Sequence, residues 1–351
     1  MARPAPSLSL RDRLARDLAA PSSMEDVADR VYAATRRHID FDFACFATTD
    51  PTTGVLTWAS KTRDLGVGDV DFAAAEYGAP DINKFDEIAR RDPPVAILSI
   101  DTDGDLSRCR RHREFMSPVF GFGDELRACF LGRAATWAVL ALYRRADEPS
   151  FTPADAAVIA ATGAVVADAV QRALFRLPPP GGSHAGPDRG GPAVVIVDAA
   201  DRVTHMTAGA RAAVDVLGGL DHGQLPPGIL AVVASTRTSG APLTTQTLTR
   251  DGTWLSVRTA PLDGVATVPD VVVTVEPTSR AAVSRMALAA HGLTAREEDV
   301  ALQVLQGAHT RDIAATLHLS PYTVQDHLKT IFAKLGVSSR REMTARLVLD
   351  A

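Results

Sequence analysis

The sequence is short of cysteine, of basic excess and of long apolar runs, and each shortage excludes something. Its three thiols, Cys45, Cys109 and Cys129, are odd in number and far apart, which gives neither a disulfide framework nor a CxxC metal or redox site. They read as small buried or half-buried side chains. A formal net charge of -5 excludes a chain that coats nucleic acid indiscriminately, so any DNA contact must be local. No apolar run reaches the length of a membrane-spanning helix, so no membrane association is expected. Near the start, Arg11, Asp12, Arg13, Arg16 and Asp17 interrupt the apolar run that a secretory leader needs, and the expected location is the cytoplasm.

Catalytic signatures are missing too. The sequence has no P-loop, GxSxG, HExxH or GxGxxG after a strand, so no catalytic residue is assigned and no enzyme activity is expected. His38, His112 and His205 are isolated, which leaves no metal site and no cofactor to propose. A phosphorylated receiver domain would need βα alternation near the start, where antiparallel strand patterns stand instead.

What is present is the composition of a folded globular chain, 46% hydrophobic and 23% charged, long enough for two or three domains. PPPGGSHAGPDRGGP, residues 178–192, has almost no apolar surface to bury and reads as a linker. A softer junction follows at residues 278–292, where an alanine-rich, helical stretch leads to His291-Gly292. The predicted organisation is an α+β multidomain chain with domains at 1–177, 193–277 and 293–351.

In the first segment, Ser22 to Glu25 offers a capping box ahead of Val27, Val31 and Tyr32. Phe41 to Thr48 and Val55 to Ser60 form a hairpin about the DPTTG turn, and Glu125 to Leu131 pairs with Thr136 to Tyr143 across GRAA. Thr152 caps a long helix running to Phe175, with Pro153 at its first position. The second segment opens with two short strands around Asp198-Ala-Ala-Asp201 and an alanine-rich helix at 208–217. It closes with strands at 243–249, 254–260 and 271–275, the first two joined at Asp251-Gly252.

From Leu293 four helix starts can be located from caps: Thr294 with Glu297, Thr310, Ser320 before Pro321, and Ser339 with Glu342. Gly307 and Gly336 supply stops. Two helices joined at His318-Leu319 make a helix-turn-helix. On the second, Val324, Leu328, Ile331 and Leu335 fall on one apolar face that must be buried. Tyr322, Asp326 and Lys329 point away from it, flanked by Gln325 and Thr330. In a major groove Gln suits adenine, Lys suits guanine and Asp accepts from cytosine N4.

The LTxRE opening, Gly307, IAxxLxLSxxTV at Ile313 to Val324, His327 and KLGVxSR at Lys334 to Arg340 make this segment resemble the LuxR/FixJ-type DNA-binding domain, an all-α four-helix module of bacterial regulators. The resemblance implies that Gln325, Asp326 and Lys329 read bases and that Ser320, Thr323 and Arg340 position the backbone. Thr310 and Tyr322 complete the candidate DNA-binding set. Family members often carry lysine after the TV pair, whereas this chain has Gln325-Asp326. The acidic and basic side chains of the segment balance, so phosphate contacts per monomer are few and a homodimer on double-stranded DNA is expected; in that family the last helix, here Ser339 to Leu349, supplies the dimer contact. RNA polymerase is a further candidate partner.

The first segment resembles a GAF-like α/β sensor domain and the second a PAS-like α+β domain, the latter through DGTWLSVRTAPL at Asp251 to Leu262. Such folds bind small molecules between sheet and helices or serve as dimerisation scaffolds. Phe43, Trp58, Trp137 and Trp254 are the candidate pocket residues for a small-molecule effector. The basic run RCRRHREF, Arg108 to Phe115, reads as a solvated helix face, with an anion site as the alternative. The rival to a DNA-reading regulator is a ligand-binding or protein-interaction module whose last domain does not read DNA.

Overall fold

The computed structural model describes residues 9–20, 23–66, 68–132, 135–175, 191–262 and 268–349. The expected linker therefore lies almost entirely outside the described residues. The chain divides into two compact units: one holds two antiparallel sheets and ends at Pro277, and the other comprises the helices from Thr278 on together with two short earlier segments, Gly132–Ala135 and Phe175–Ser183.

The first unit starts with α1 (Leu10–Asp17) and α2 (Met24–Thr35). The cap of α2 is Ser23, which is extended and whose Oγ accepts the Asp26 N–H at 3.1 Å; Ser22, the expected start of the box, lies outside the described residues. Strands β1 (Phe43–Thr49) and β2 (Leu56–Lys61) pair around Asp50, whose carboxylate accepts the Thr52 N–H at 2.7 Å. Helix α3 (Asp69–Tyr77) follows, then the single turn α4 (Phe85–Ile88), β3 (Val95–Ile97), and the single turns α5 (Leu98–Asp101) and α6 (Ser117–Phe120). The long hairpin β4 (Phe122–Leu131) and β5 (Thr136–Arg145) completes a sheet of order β2-β1-β5-β4-β3.

Thr152 caps α7 (Pro153–Ala160) through a full capping box with Asp155. The single helix expected to reach Phe175 is broken: α8 (Gly163–Leu174) leaves α7 at 44°. At the break both the N–H and the hydroxyl of Thr162 donate to Ile159 O, tightening the last turn, and Gly163 weakens the helix that would continue it. No single helix among the described residues is long and apolar enough to cross a membrane. Helix α8 packs on β4 and β5, with α1 and α2 packed against it, while Phe43, Phe122 and Tyr143 stack on the other face. With both faces covered, the central strands are buried along almost their whole length.

The second sheet comprises β6 (Ala193–Val197), β7 (Val203–Met206), β8 (Leu243–Leu248), β9 (Trp254–Pro261) and β10 (Val271–Pro277), in the order β7-β6-β10-β9-β8. Between β7 and β8 lie α9 (Ala208–Val216) and α10 (Pro227–Ser239). Val195, Val257 and Val273 pack with Ala213, Ile229 and Val233 in one core. The sequence pattern does not announce α10. Ile229, Leu230, Ala231, Val232 and Val233 are all buried, so the first half of the helix is apolar all round and has no amphipathic period to read.

That burial has a reason, because α10 lies between the sheets. It packs on β8 and β9 on one side and on α3 and β2 on the other. A Cβ on Gly228 would fall 2.2 Å from Thr57 O of β2, so only glycine allows this approach. Beside it the Asp50 carboxylate accepts the Gln246 N–H at 2.8 Å, and the Thr247 hydroxyl donates to Thr57 O at 3.1 Å.

The second unit has five helices among the described residues: α11 (Arg280–Ala290), α12 (Ala295–Leu305), α13 (Thr310–Thr316), α14 (Pro321–Leu335) and α15 (Arg340–Leu349). The expected helical connector is α11, capped by Ser279, and its Ala287 and Leu288 join the bundle core.

Candidate nucleic-acid interface

The helix-turn-helix is α13 and α14, and the framework that aims it begins at α12. Thr294 Oγ1 accepts the Glu297 N–H at 3.3 Å, and the Glu297 carboxylate accepts the Thr294 N–H at 2.7 Å and Lys334 Nζ at 2.5 Å. Burial acts to raise that carboxyl, but Lys334 and Thr294 outweigh it and hold it below the usual carboxylate range. The start of α12 is thereby tied to the end of α14. Arg296, of the same LTxRE opening, donates to Leu317 O and clamps the turn between α13 and α14. The motif alone does not give this role, because the partner of Arg296 is the backbone of a turn that packing brings to it.

Thr310 is the first residue of α13, not its cap. The cap is His309, whose N–H donates to the Asp312 carboxylate at 3.3 Å. Thr310 Oγ1 instead accepts from Arg340 at 2.7 Å, and the same guanidinium donates to Ala308 O at 2.9 Å. The half-buried Arg340 is thus engaged inside the bundle, bracing α15 against the entry to α13. Ser339 Oγ accepts the Glu342 N–H at 3.2 Å, while the Glu342 carboxylate reaches Ser338 N at 2.8 Å, so the reciprocal arm of the expected box closes one residue early.

In the turn His318 adopts φ +53°, and Ser320 then caps α14 by accepting the Thr323 N–H at 3.0 Å. Val324, Leu328, Ile331 and Leu335 are the buried residues of α14, and Gly336 at φ +63° ends it. Gln325, Asp326, Lys329 and Thr330 are exposed on the other side, and Tyr322 is 75% exposed. Lys329 Nζ lies 3.7 Å from Asp326, both in water, a pairing too weak to hold the lysine against another anion. Ser320, Tyr322, Gln325, Asp326 and Lys329 therefore share one accessible surface; Thr323 is half-buried at its edge, and Thr310 and Arg340 are occupied with each other.

The first unit contains a cavity of about 60 Å³. Phe43 lines it, but Trp58, Trp137 and Trp254 are not among its lining residues. Trp58 sits opposite Thr48, on the strand positions alternating with those of Phe43 and Cys45, and so faces away. Trp137 is fully buried near the far end of β5, roughly 20 Å along the strand from the lining residue Tyr143. Trp254 belongs to the other sheet, at the β8–β9 turn. The sheet forms the floor through Phe43, Cys45 and Tyr143; α3 contributes Phe72 and Tyr77, the segment around α6 contributes Met116 and Phe120, and α10 contributes Pro227 and Ala231.

RCRRHREF is only in part the expected solvated face: Arg108, Arg113 and Glu114 are exposed, whereas Cys109, Arg111 and His112 are buried. Arg111 pairs with Glu125 and donates to Ile82 O at 2.7 Å; Arg127 reaches Glu125 at 2.8 Å and Glu76 at 2.7 Å. Burial pushes the Glu125 carboxyl up, but the two guanidiniums outweigh it and bring it down to about 2. Burial likewise raises the thiols, Cys109 to about 11 and Cys45 and Cys129 to about 12, so none is a ready nucleophile. Asp64, Asp221 and His222 bring ligand atoms within 4.8 Å of one another, all in solvent.

A helix-turn-helix with its caps satisfied and a polar outer face is the geometry found in DNA-binding domains. Residues 291–347 match the family described as bacterial regulatory proteins, luxR family. This C-terminal segment is a luxR-type helix-turn-helix domain, a regulatory rather than a catalytic module. The chain is similar to the transcriptional regulatory protein UhpA of Salmonella typhimurium, 37% identical over 126 residues, which are 35% of this chain and 64% of that one. It is also 37% identical over 81 residues, 23% of this chain, to an HTH-type transcriptional regulator of Mycobacterium bovis, of which the alignment spans 9%. Among solved structures, Escherichia coli SdiA overlays 97% of this chain and 96% of its own, at 10% identity and a TM-score of 0.37. At that score the overlay does not define the fold of the two sheets.

Proposed function

We propose that the chain is a sequence-specific transcription regulator that binds double-stranded DNA as a homodimer, with binding modulated by a small molecule or a partner at the two-sheet unit. The observation that carries this reading is the outer face of α14, where Gln325, Asp326 and Lys329 stand exposed opposite an unbroken buried stripe. Their donors and acceptors suit major-groove base edges. In this reading Ser320 and Thr323, at the helix N-terminus, face phosphate, and Tyr322 contacts the groove or its backbone.

The balanced charge of the domain supports dimerisation, since two copies on adjacent half-sites supply what one copy lacks. The first sheet is read as a GAF-like sensory domain, residues 1–177, and the second as a PAS-like domain, residues 193–277. The protein acts in the cytoplasm without a catalytic step, and RNA polymerase is a candidate partner once DNA is bound.

Fluorescence anisotropy against genomic fragments at two salt concentrations tests the proposal. The expected result is a subset of fragments bound far more tightly than the rest, with preference retained at the higher salt. Binding indifferent to sequence, or none, would show instead that the last domain serves protein contacts.

A further inference from the structure

We propose that the cavity of the first unit takes an uncharged, compact ligand of about one ring, and that it does so by displacing α10, so that occupancy is passed to the second sheet. This deepens the reading of the two-sheet unit as sensory and rests on it.

The chemistry of the walls sets the ligand class. Phe43, Phe72, Phe120 and Met116 make the lining apolar and largely aromatic. Among the described lining residues the charged side chains are Lys61 and Asp69, which neutralise one another, with Lys61 Nζ at 2.6 and 2.7 Å from the two carboxylate oxygens. A charged ligand would find no uncompensated counter-charge and would lose its hydration on entry. A polar group can still be met, because Tyr77 spends its oxygen in accepting the Leu56 N–H at 2.9 Å and retains its proton to donate.

Size sets the mechanism. A dry cavity that accepts benzene measures about 150 Å³, whereas this one measures about 60 Å³ and is partly open to solvent, so a ring is fully enclosed only if a wall yields. The floor is held by the hydrogen-bonded ladders of β1, β2 and β5. By contrast α10 meets that floor through packing, with Gly228 close against Thr57 and with Ala231 and Val232 in the shared apolar core. At its other end α10 is fastened to its own sheet, because the Thr236 and Thr259 hydroxyls bond each other and Arg237 reaches Asp201 and Asp198 O. A push on Ala231 is therefore passed to the second sheet, against the Asp50–Gln246 and Thr247–Thr57 hydrogen bonds that tie β8 to the first sheet, the kind of two-state interface through which occupancy at one place biases another.

The test uses the full chain with benzyl alcohol and, as a charged control of similar size, benzoate, by calorimetry and thermal shift. Saturable binding of benzyl alcohol and not benzoate is expected. Ala231→Leu, which fills the cavity, should weaken binding at least tenfold, and Met116→Ala, which enlarges it, should tighten binding. Amide exchange along α10 should change with benzyl alcohol while that along β1 and β5 stays fixed. No saturable binding by either the native chain or Met116→Ala overturns the inference. So do equal binding of benzoate, indifference to Ala231→Leu in a folded variant, and an α10 whose exchange ignores the ligand. DNA anisotropy in parallel separates the two readings: sequence-specific DNA binding without benzyl alcohol binding sinks this inference alone, and the converse sinks the regulator reading alone.

Discussion

Replacing Arg340 by alanine distinguishes a brace from a phosphate contact. The family resemblance assigns this arginine to the DNA backbone, yet its guanidinium donates to Ala308 O and Thr310 Oγ1 at 2.9 and 2.7 Å. A hydrogen bond with a charged partner contributes about 1.5–3 kcal/mol when shielded, and less in a half-exposed site, so the two together are worth about 2–3 kcal/mol. Losing about 2 kcal/mol shifts the folded-to-unfolded ratio of the helical unit roughly thirtyfold. All three tryptophans, Trp58, Trp137 and Trp254, lie in the two-sheet unit, so their fluorescence follows that unit, while circular dichroism at the helical band also follows the bundle. Urea unfolding of Arg340→Ala should lower the midpoint seen by circular dichroism and leave the fluorescence midpoint in place. Below the unfolding range, the salt dependence of DNA binding should match the native chain. An unaltered unfolding curve together with a salt slope reduced by about one would refute the brace and restore the phosphate contact.

Other outcomes follow from the geometry described. Lys329→Ala should weaken binding to a preferred site by about 1–3 kcal/mol and relax preference at one base position, whereas specificity identical to the native chain would remove Lys329 from the reading face. Gly228→Ala drives a Cβ to 2.2 Å from a backbone oxygen and should cost about 1–3 kcal/mol, or part α10 from β2, visible as faster amide exchange in both; an unchanged exchange pattern would contradict the close approach. Glu125, held at about 2 against an ordinary 4.5, adds stability that is complete above pH 4.5 and is lost as pH falls towards 2, about 3 kcal/mol in all. Glu125→Gln should therefore be less stable than the native chain at neutral pH by a margin that shrinks on acidification, and a margin independent of pH would speak against that ionisation.

Legibility in the sequence followed the range of the interactions. The stripe Val324, Leu328, Ile331 and Leu335, the cap at Ser320 and the stop at Gly336 are local, and all stand where the pattern puts them. Where two adjacent residues could cap, the choice slipped by one, as at Thr310 against His309. Contacts between distant residues were not legible. Nothing near Arg340 announces Ala308, and nothing in RCRRHREF shows that Arg111 would meet Glu125 inside a core. The tryptophans drew attention by size, but strand parity and position turn Trp58 away from the cavity and leave Trp137 far along its strand. Helix α10 escaped because a segment buried on both sides carries no periodic signature.

The lateness of α10 in the chain also bears on biosynthesis. The first sheet leaves the ribosome complete but unroofed, with Phe43, Phe72 and Phe120 facing water until Pro227–Ser239 has emerged to cover them. A nascent chain stalled before Pro227, or a proteolytic fragment ending there, carries a sticky aromatic hollow that invites chaperone capture or self-association. Expressing the first sheet by itself should therefore yield a poorly behaved polypeptide even though every one of its own strands is present.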